Sequence, residues 1–259
     1  MSASPFLRTA IEAARAGEVV IKHYYQSNLR IEIKADRTPV TVADVETEQA
    51  IRGVLAGAFP EHGFYGEETG QERADAEYVW LVDPIDGTKS FVREYPFFST
   101  QIALMHRGEF VLGVSNAPLF GELAHAERGH GAFLNDKPVH VSNIAVLDQA
   151  TLSLGNTKTL AGDPACWGEL AKLIRSVSRI RGYGDFYHYH LLASGKIDLV
   201  IESDVGILDV AALGVIVQEA GGTVTDLDGR PLGLASTGII ASNGPMHPHA
   251  LAVTAARGA

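Results

Sequence analysis

WLVDPIDGTKSF, residues 80–91, sets two aspartates three apart around a proline, directly after an apolar run and directly before Gly-Thr. A strand that turns into a helix needs one small polar residue as its cap, and Asp86 alone would serve. Asp83 is left over, at the point where Val79-Trp80-Leu81-Val82 leaves the core. Carboxylates that gather at a sheet edge repel one another unless a cation offsets their charge. Gly87-Thr88 supplies what a phosphate requires: glycine lets the backbone approach closely, and the free N–H groups that open the following helix form an anion site.

Further acids lie on either side. Gly66-Glu67-Glu68 stands upstream, and Asp209 occurs much later in GILDVAALGVIVQEAGG. Taken singly, Glu67 and Glu68 read as solvated loop charges and Asp209 as a helix cap. Taken with Asp83 and Asp86 they read as hard oxygen ligands with no histidine or cysteine nearby, which suits Mg²⁺ rather than zinc or copper. A calcium EF-hand loop is excluded by spacing: counted from Asp83, its third and fifth positions are Ile85 and Gly87, and its glycine position is Thr88. Metal carboxylates beside a helix N-terminus are the equipment of phosphoryl transfer.

The whole chain agrees with a small-molecule enzyme. Its 259 residues, 46% of them hydrophobic, bury a large core, either as one compact unit or as two subdomains sharing a cleft, 1–145 and 146–259 with a soft boundary. A formal net charge of -10 argues against nucleic acid or an anionic membrane as partner and favours cations. The single Cys166 forms no internal disulfide, and no stretch is apolar enough to span a membrane, so a soluble, unprocessed, cytoplasmic protein is expected. Apolar periodicity predicts helices from Pro5 to about Ser27 and from about Val42 to Phe59, the second opened by Thr41 and Asp44 in a capping pattern. Short strands at Thr100–Met105, Phe110–Ser115, Glu122–Glu127 and Ala132–Leu134 predict an antiparallel meander. Beyond Leu152 helices near 165–177, 185–194 and 209–220 alternate with strands at 199–202, 223–226 and 238–242, before a last helix after Pro245. The fold class is therefore α/β, with α+β layering: helices between two sheets.

GEE (66–68), DPIDGT (83–88), and LDVAA followed by EAGG (208–212, 219–222) resemble the signatures of the inositol monophosphatase superfamily of Mg²⁺-dependent phosphatases. Lys34-x-Asp36 and the run Pro39 to Asp44 match its N-terminal pattern, so the resemblance covers nearly the whole chain. It implies the sugar-phosphatase-like architecture of alternating helix layers and two sheets. It implies Glu67, Asp83, the Ile85 carbonyl, Asp86 and Asp209 as ligands of two or three Mg²⁺ ions, replaceable by Mn²⁺, with Asp83 as the bridge. Glu68 is then a neighbour behind the ligands. Thr88 paired with Asp44 orients the attacking water, with Glu67 beside them and Gly87-Thr88 on the phosphate. One departure stands out: Leu208 occupies the position where the family usually has tryptophan, which loosens packing without removing a ligand.

The substrate side is expected in the C-terminal half, where Arg181-Gly182-Tyr183-Gly184-Asp185-Phe186 is the informative stretch. Inositol-specific relatives usually carry a small residue where Asp185 stands. RxYGDF and GTKSFVREYP (87–96) resemble instead the histidinol-phosphate phosphatase branch, whose substrate carries an ammonium and an imidazole. Asp185 is either a helix cap or a carboxylate facing that cation. Glu202, seven residues before Asp209, matches the position that contacts substrate in inositol phosphatases; it is either such a contact, here facing the imidazole or amine, or a solvated side chain, and Arg93 is a third candidate. Lys89 reads as a solvated helix residue, and His188 and His190, two apart on a helix, as surface or interface packing. The leading expectation is a phosphatase acting on L-histidinol phosphate, with a homodimer as its assembly. An inositol or other sugar-phosphate phosphatase is the alternative within enzymes, and a metal-binding protein with degenerate activity the alternative outside them.

Overall fold

The computed structural model describes residues 3–26, 31–33 and 39–257; Lys34 and Asp36 of the N-terminal pattern lie outside them. Helix α1 (Pro5–Tyr24) opens with Ser4, whose hydroxyl accepts the Leu7 N–H at 3.1 Å, and with Pro5 at a position where no helical N–H is lost. A short hairpin, β1 (Ile31–Ile33) and β2 (Pro39–Thr41), leads into α2 (Val42–Ala58). The expected capping box is present: the Thr41 side chain accepts the Ala43 N–H, and Asp44 Oδ2 accepts the Thr41 N–H at 2.8 Å.

The first sheet follows. Its elements are β3 (Gly63–Gly66), β4 (Gly70–Glu72), β5 (Tyr78–Asp86), the short helix α3 (Thr88–Val92), β6 (Ser99–His106), β7 (Glu109–Ala117), β8 (Glu122–Glu127), β9 (Ala132–Leu134) and β10 (Lys137–Val139). The strands lie in the order β10-β9-β8-β7-β6-β5-β3-β4. From β5 to β10 each strand pairs antiparallel with the next, which is the meander the turn-separated runs predict; only β3 and β5 are parallel.

The second half builds β11 (Thr151–Leu154), α4 (Lys158–Ala161), α5 (Pro164–Ser176), β12 (Arg179–Arg181), α6 (Asp185–Ala193), β13 (Leu199–Ser203), α7 (Ile207–Glu219), β14 (Thr223–Thr225), β15 (Gly238–Ser242) and α8 (His247–Thr254). Its five strands run β12-β11-β13-β15-β14, parallel among β12, β11 and β13 and antiparallel beyond.

Alternation along the strands sorts the core into layers. Trp80, Val82, Ile102 and Leu104 pack with Leu7, Ile51 and Leu55 of α1 and α2. Their neighbours Val79, Leu81, Ala103 and Met105 point the other way, into a cluster with α6, α7 and the Val200 and Ala241 face of the second sheet. Leu199, Ile201 and Ile240 face outward onto α5 and α8. The molecule is thus helix, sheet, helix, sheet, helix, as the layered α/β reading expects. Helix α7 is apolar on every side because it lies between two sheets, with Val210 to Val217 buried throughout. It lies close against β7: a Cβ on Gly113 would stand 2.2 Å from the Ala212 carbonyl oxygen. This contact sets where the N-terminus of α7 comes to rest, and Asp209 with it.

Candidate metal and phosphate site

In an unbroken strand, residues three apart face opposite sides. Here Asp83 pairs with Gln101 and Asp86 with Ser99, so three steps along β5 match two along β6. The bulge turns both aspartates into one cleft. Pro84, with no N–H to offer the ladder, occupies the irregular stretch, and its carbonyl accepts the Thr100 hydroxyl at 2.9 Å. Asp83 Oδ1 accepts the Ile85 N–H at 3.0 Å, which fixes the buried carboxylate on the turn. Gly87 then takes φ +92°, and a Cβ there would lie 2.6 Å from the Phe97 carbonyl oxygen, so glycine is required twice over.

Other elements bring their acids to the same place. Glu67 leaves β3 with its N–H on the Val82 carbonyl at 3.1 Å, beside Asp83. Asp209 sits in the first turn of α7, where its Oδ2 accepts the Gly206 N–H at 2.7 Å. The helix begins at Ile207 rather than at Asp209, so Asp209 is the acid of the first turn and Gly206 is the cap. Among the described residues, one oxygen from each of Asp83, Asp86 and Asp209 lies within 4.8 Å of the others. Glu67, Ile85, Gly87 and Thr88 line the same cleft, whose volume is about 550 Å³.

The electrostatics state what such a cluster lacks. Burial, then the charges of Glu67, Asp86 and Asp209, hold the Asp83 carboxyl well above the usual range. Burial and the neighbouring Asp209 do the same to Asp86, and burial pushes Asp209 up to about 6. The donors are all oxygen and each charge raises its neighbours' carboxyls, so the group fits a hard divalent cation. A second cleft of about 290 Å³ near Asp226 and Arg257 has no such convergence, and its Asp228 is already paired with Arg230 and Arg257 at 3.4 Å.

Thr88 opens α3 with its hydroxyl 3.1 Å from Asp44 Oδ1 and 3.1 Å from the Ile85 carbonyl oxygen. A hydroxyl has one proton to give, so either partner leaves its lone pairs free to accept from a water. Asp44 is itself held by Thr41, whose N–H and hydroxyl both reach Oδ2. Burial raises the Asp44 carboxyl, against the hydrogen bonds from Thr41 and Thr88.

The opposite wall comes from the second half: Leu154, Gly155, Asn156, Gly182, Gly184, Asp185 and Glu202. Asp185 is not the cap of α6; Gly184 is, and Asp185 is the acid of the first turn. It begins the helix at φ +46°, a conformation aspartate tolerates better than most residues. Burial, then the nearby Glu202 charge, pushes its carboxyl up to about 6. Glu202 is not solvated: it is buried, and four neighbours fix it as described below. Lys89 is exposed at the rim, whereas Arg93 is exposed and does not line the cleft. His188 and His190 are buried rather than superficial. Their side chains leave α6 towards different partners: His188 meets Glu202 and Ser153, while His190 meets Glu122 and Ser115.

Glu48 escapes a reading of motifs. It is wholly buried on α2 and accepts the Glu68 N–H at 2.8 Å and the Thr69 N–H at 3.0 Å, holding the turn that carries Glu67. Gly66 leaves room for it, since a Cβ there would lie 2.4 Å from Glu48 Oε2. The available signal is an acid within the buried stripe Asp44, Thr47, Ile51, Leu55.

Carboxylates that converge beside a threonine and an open helix end, Asp83 buried and Asp86 and Asp209 half-buried, define a class, the metal-dependent phosphoester hydrolases. The chain belongs to the inositol monophosphatase family, whose model matches residues 2–258. It is 37% identical over 244 residues to the histidinol-phosphatase of Chlorobaculum parvum, covering 94% of each chain. To the histidinol-phosphatase of Mycobacterium tuberculosis it is 39% identical over 244 residues, covering 92% of this chain and 93% of that one. The crystal structure of the extragenic suppressor protein suhB from Bartonella henselae superposes with a TM-score of 0.89 at 31% identity, covering 99% of this chain and 100% of that one.

Proposed function

We propose that the protein is a Mg²⁺-dependent phosphatase that hydrolyses L-histidinol phosphate to L-histidinol and phosphate. The observation that carries the substrate is the second acidic wall: Asp185 and Glu202 line the cleft opposite the Asp83, Asp86 and Asp209 group. Glu202 alone would also serve a polyol, whose hydroxyls donate to a carboxylate, but with Asp185 beside it the wall attracts an ammonium or imidazolium. The histidinol-phosphatase relatives support the same choice.

Glu67, Asp83, the Ile85 carbonyl, Asp86 and Asp209 would hold the Mg²⁺, two or three ions in all, with Mn²⁺ as a substitute. When bound, the metal supplies positive charge to the phosphoryl oxygens and makes water more acidic. The chain's own groups do the positioning. Thr88 Oγ1 accepts a hydrogen bond from the attacking water while its own hydroxyl donates one to Asp44 or to the Ile85 carbonyl, so the pair orients the water, and Asp44 is the group able to take up a proton. The N–H groups at Gly87 and Thr88 orient the phosphate. Asp185 and Glu202 hold the cationic head, with Arg93 left as a more distant candidate. The same reading carries a cytoplasmic homodimer, which light scattering would test.

The deciding experiment is phosphate release from L-histidinol phosphate, inositol 1-phosphate and glycerol 2-phosphate, with Mg²⁺ and in excess chelator. Hydrolysis fastest on histidinol phosphate and lost in chelator is the expected result. Asp185→Asn should lower the histidinol phosphate to glycerol phosphate ratio of kcat/KM by tens-fold or more, on the order of 2 to 5 kcal/mol for a lost partly buried ion pair. A preference for inositol 1-phosphate that Asp185→Asn leaves alone would return the sugar-phosphate reading, and turnover undiminished by chelator would remove the metal.

A further inference from the structure

Glu202 is a buried carboxylate whose surroundings are built around it. Its Oε2 accepts from His188 Nε2 at 3.1 Å and from the Tyr189 hydroxyl at 2.9 Å. Its Oε1 accepts the Asn156 N–H at 3.1 Å. Gly155 lies against the same oxygen so closely that a Cβ there would stand 2.0 Å from Oε1. A carboxylate has about four acceptor positions, so three are filled and one is left, on Oε1.

The histidine is held in turn. Its Nδ1 lies 3.3 Å from Ser153 Oγ, and Ser153 also accepts the Tyr183 N–H at 3.3 Å. One arrangement satisfies every group. The Ser153 hydroxyl donates to Nδ1, and the Nε2–H donates to Glu202. A proton on Nδ1 as well would leave the Ser153 hydrogen without that acceptor. In the satisfied arrangement His188 holds Glu202 Oε2 from behind and leaves the open position on Oε1 untouched. Ser153 and His188 are both 0% exposed, so despite a serine-histidine-glutamate sequence of contacts no substrate reaches the serine.

We infer that His188 is a positioning residue for substrate selection: through Nε2 it fixes the Glu202 carboxylate so that one acceptor position faces the cationic head of the phosphate ester. The inference rests on the reading of the cleft as a site for a cationic ester. His188 touches neither the substrate nor the Asp83, Asp86 and Asp209 group, so it acts on choice of substrate and leaves phosphoryl chemistry alone. Tyr189 shares the task from the neighbouring position on α6.

The test compares parent, His188→Leu, His188→Gln and Tyr189→Phe at saturating Mg²⁺, with L-histidinol phosphate and glycerol 2-phosphate as the two esters. His188→Leu is expected to lower the ratio of kcat/KM for the two esters by roughly tenfold or more, the weight of one hydrogen bond to a charged acceptor, and chiefly through KM for histidinol phosphate. His188→Gln keeps an N–H donor and should regain much of the loss. Tyr189→Phe changes packing least and should lower the same ratio, which covers the case in which His188→Leu fails to fold. Equal losses on both esters would make His188 merely structural and overturn the assignment. A parent that prefers histidinol phosphate, with a ratio that neither His188→Leu nor Tyr189→Phe changes, overturns the assignment alone. A parent with no such preference overturns the functional reading and this inference with it.

Discussion

In the proposed reaction Thr88 aligns the attacking water through one hydroxyl. Asp44 stands 3.1 Å away on one side and the Ile85 carbonyl oxygen 3.1 Å away on the other, so the hydroxyl hydrogen is committed and the oxygen acts as an acceptor. An acceptor that aligns a water matters most in the transition state, where the water's proton is leaving. Thr88→Ala is therefore expected to lower kcat by roughly a hundredfold with KM changed by less than about threefold. Steady-state kinetics on the preferred ester decide it; a rise in KM with kcat intact would make Thr88 a binding residue instead. The contact between Thr88 and Asp44 could be expected because both stand in stretches that resemble the family's signatures. Glu48, Ser153 and His188 were not legible in this way, because each acquires its meaning from a partner brought near only by folding: Glu48 lies 20 residues from the N–H it accepts at Glu68, and His188 lies 14 from Glu202.

Among elements, the end of β5 carries the most information per residue. The proline, the bulge and the left-handed Gly87 are three consequences of one requirement, that carboxylates three apart share a side and the chain then turn sharply into α3. Gly87→Ala must meet φ +92° and a carbonyl oxygen 2.6 Å from its Cβ. Strain of this kind costs on the order of 1 to 3 kcal/mol, with the clash added. Urea unfolding is expected to show a loss of at least about 2 kcal/mol with an unchanged m-value; equal midpoints for the variant and the parent would mean that the turn relaxes freely. The long elements announced themselves through period and caps, and α2 and the meander fall within a few residues of where the sequence puts them. The strands β3, β4, β10, β11 and β12 passed unread. None exceeds four residues. Arg-Ile-Arg of β12 shows no apolar face to speak of, because an edge strand is stabilised by its one neighbour rather than by its own pattern.

At the scale of the whole molecule, two sets of buried and half-buried groups pull stability in opposite directions with pH. Burial lowers His62, His125, His190 and His247 below the ordinary 6.5. Such groups contribute stability above 6.5 that is lost as pH falls through their folded values. Asp83 and Asp86 are raised well above 3.8, and Asp209 and Asp185 to about 6. Without a cation these contribute stability below 3.8 that is lost as pH rises through the folded values, because the folded state must give up protons it prefers to keep. A divalent ion takes the place of those protons, so its effect should grow over the same interval. The melting temperature in 5 mM Mg²⁺ minus that in chelator is therefore expected to be larger at pH 8 than at pH 5, by at least about twofold. At a hundredfold excess over Kd the ion contributes about 2.7 kcal/mol, roughly 5 to 10 °C for a chain of this length. Asp83→Asn should remove most of the shift at pH 8 while leaving the histidine-driven loss of stability below pH 6.5 in place, since those four side chains lie outside the acidic group. A shift of equal size at both pH values, or one that survives Asp83→Asn, would mean that Mg²⁺ binds elsewhere on the acidic surface and that the cluster on β5 and α7 is not its site.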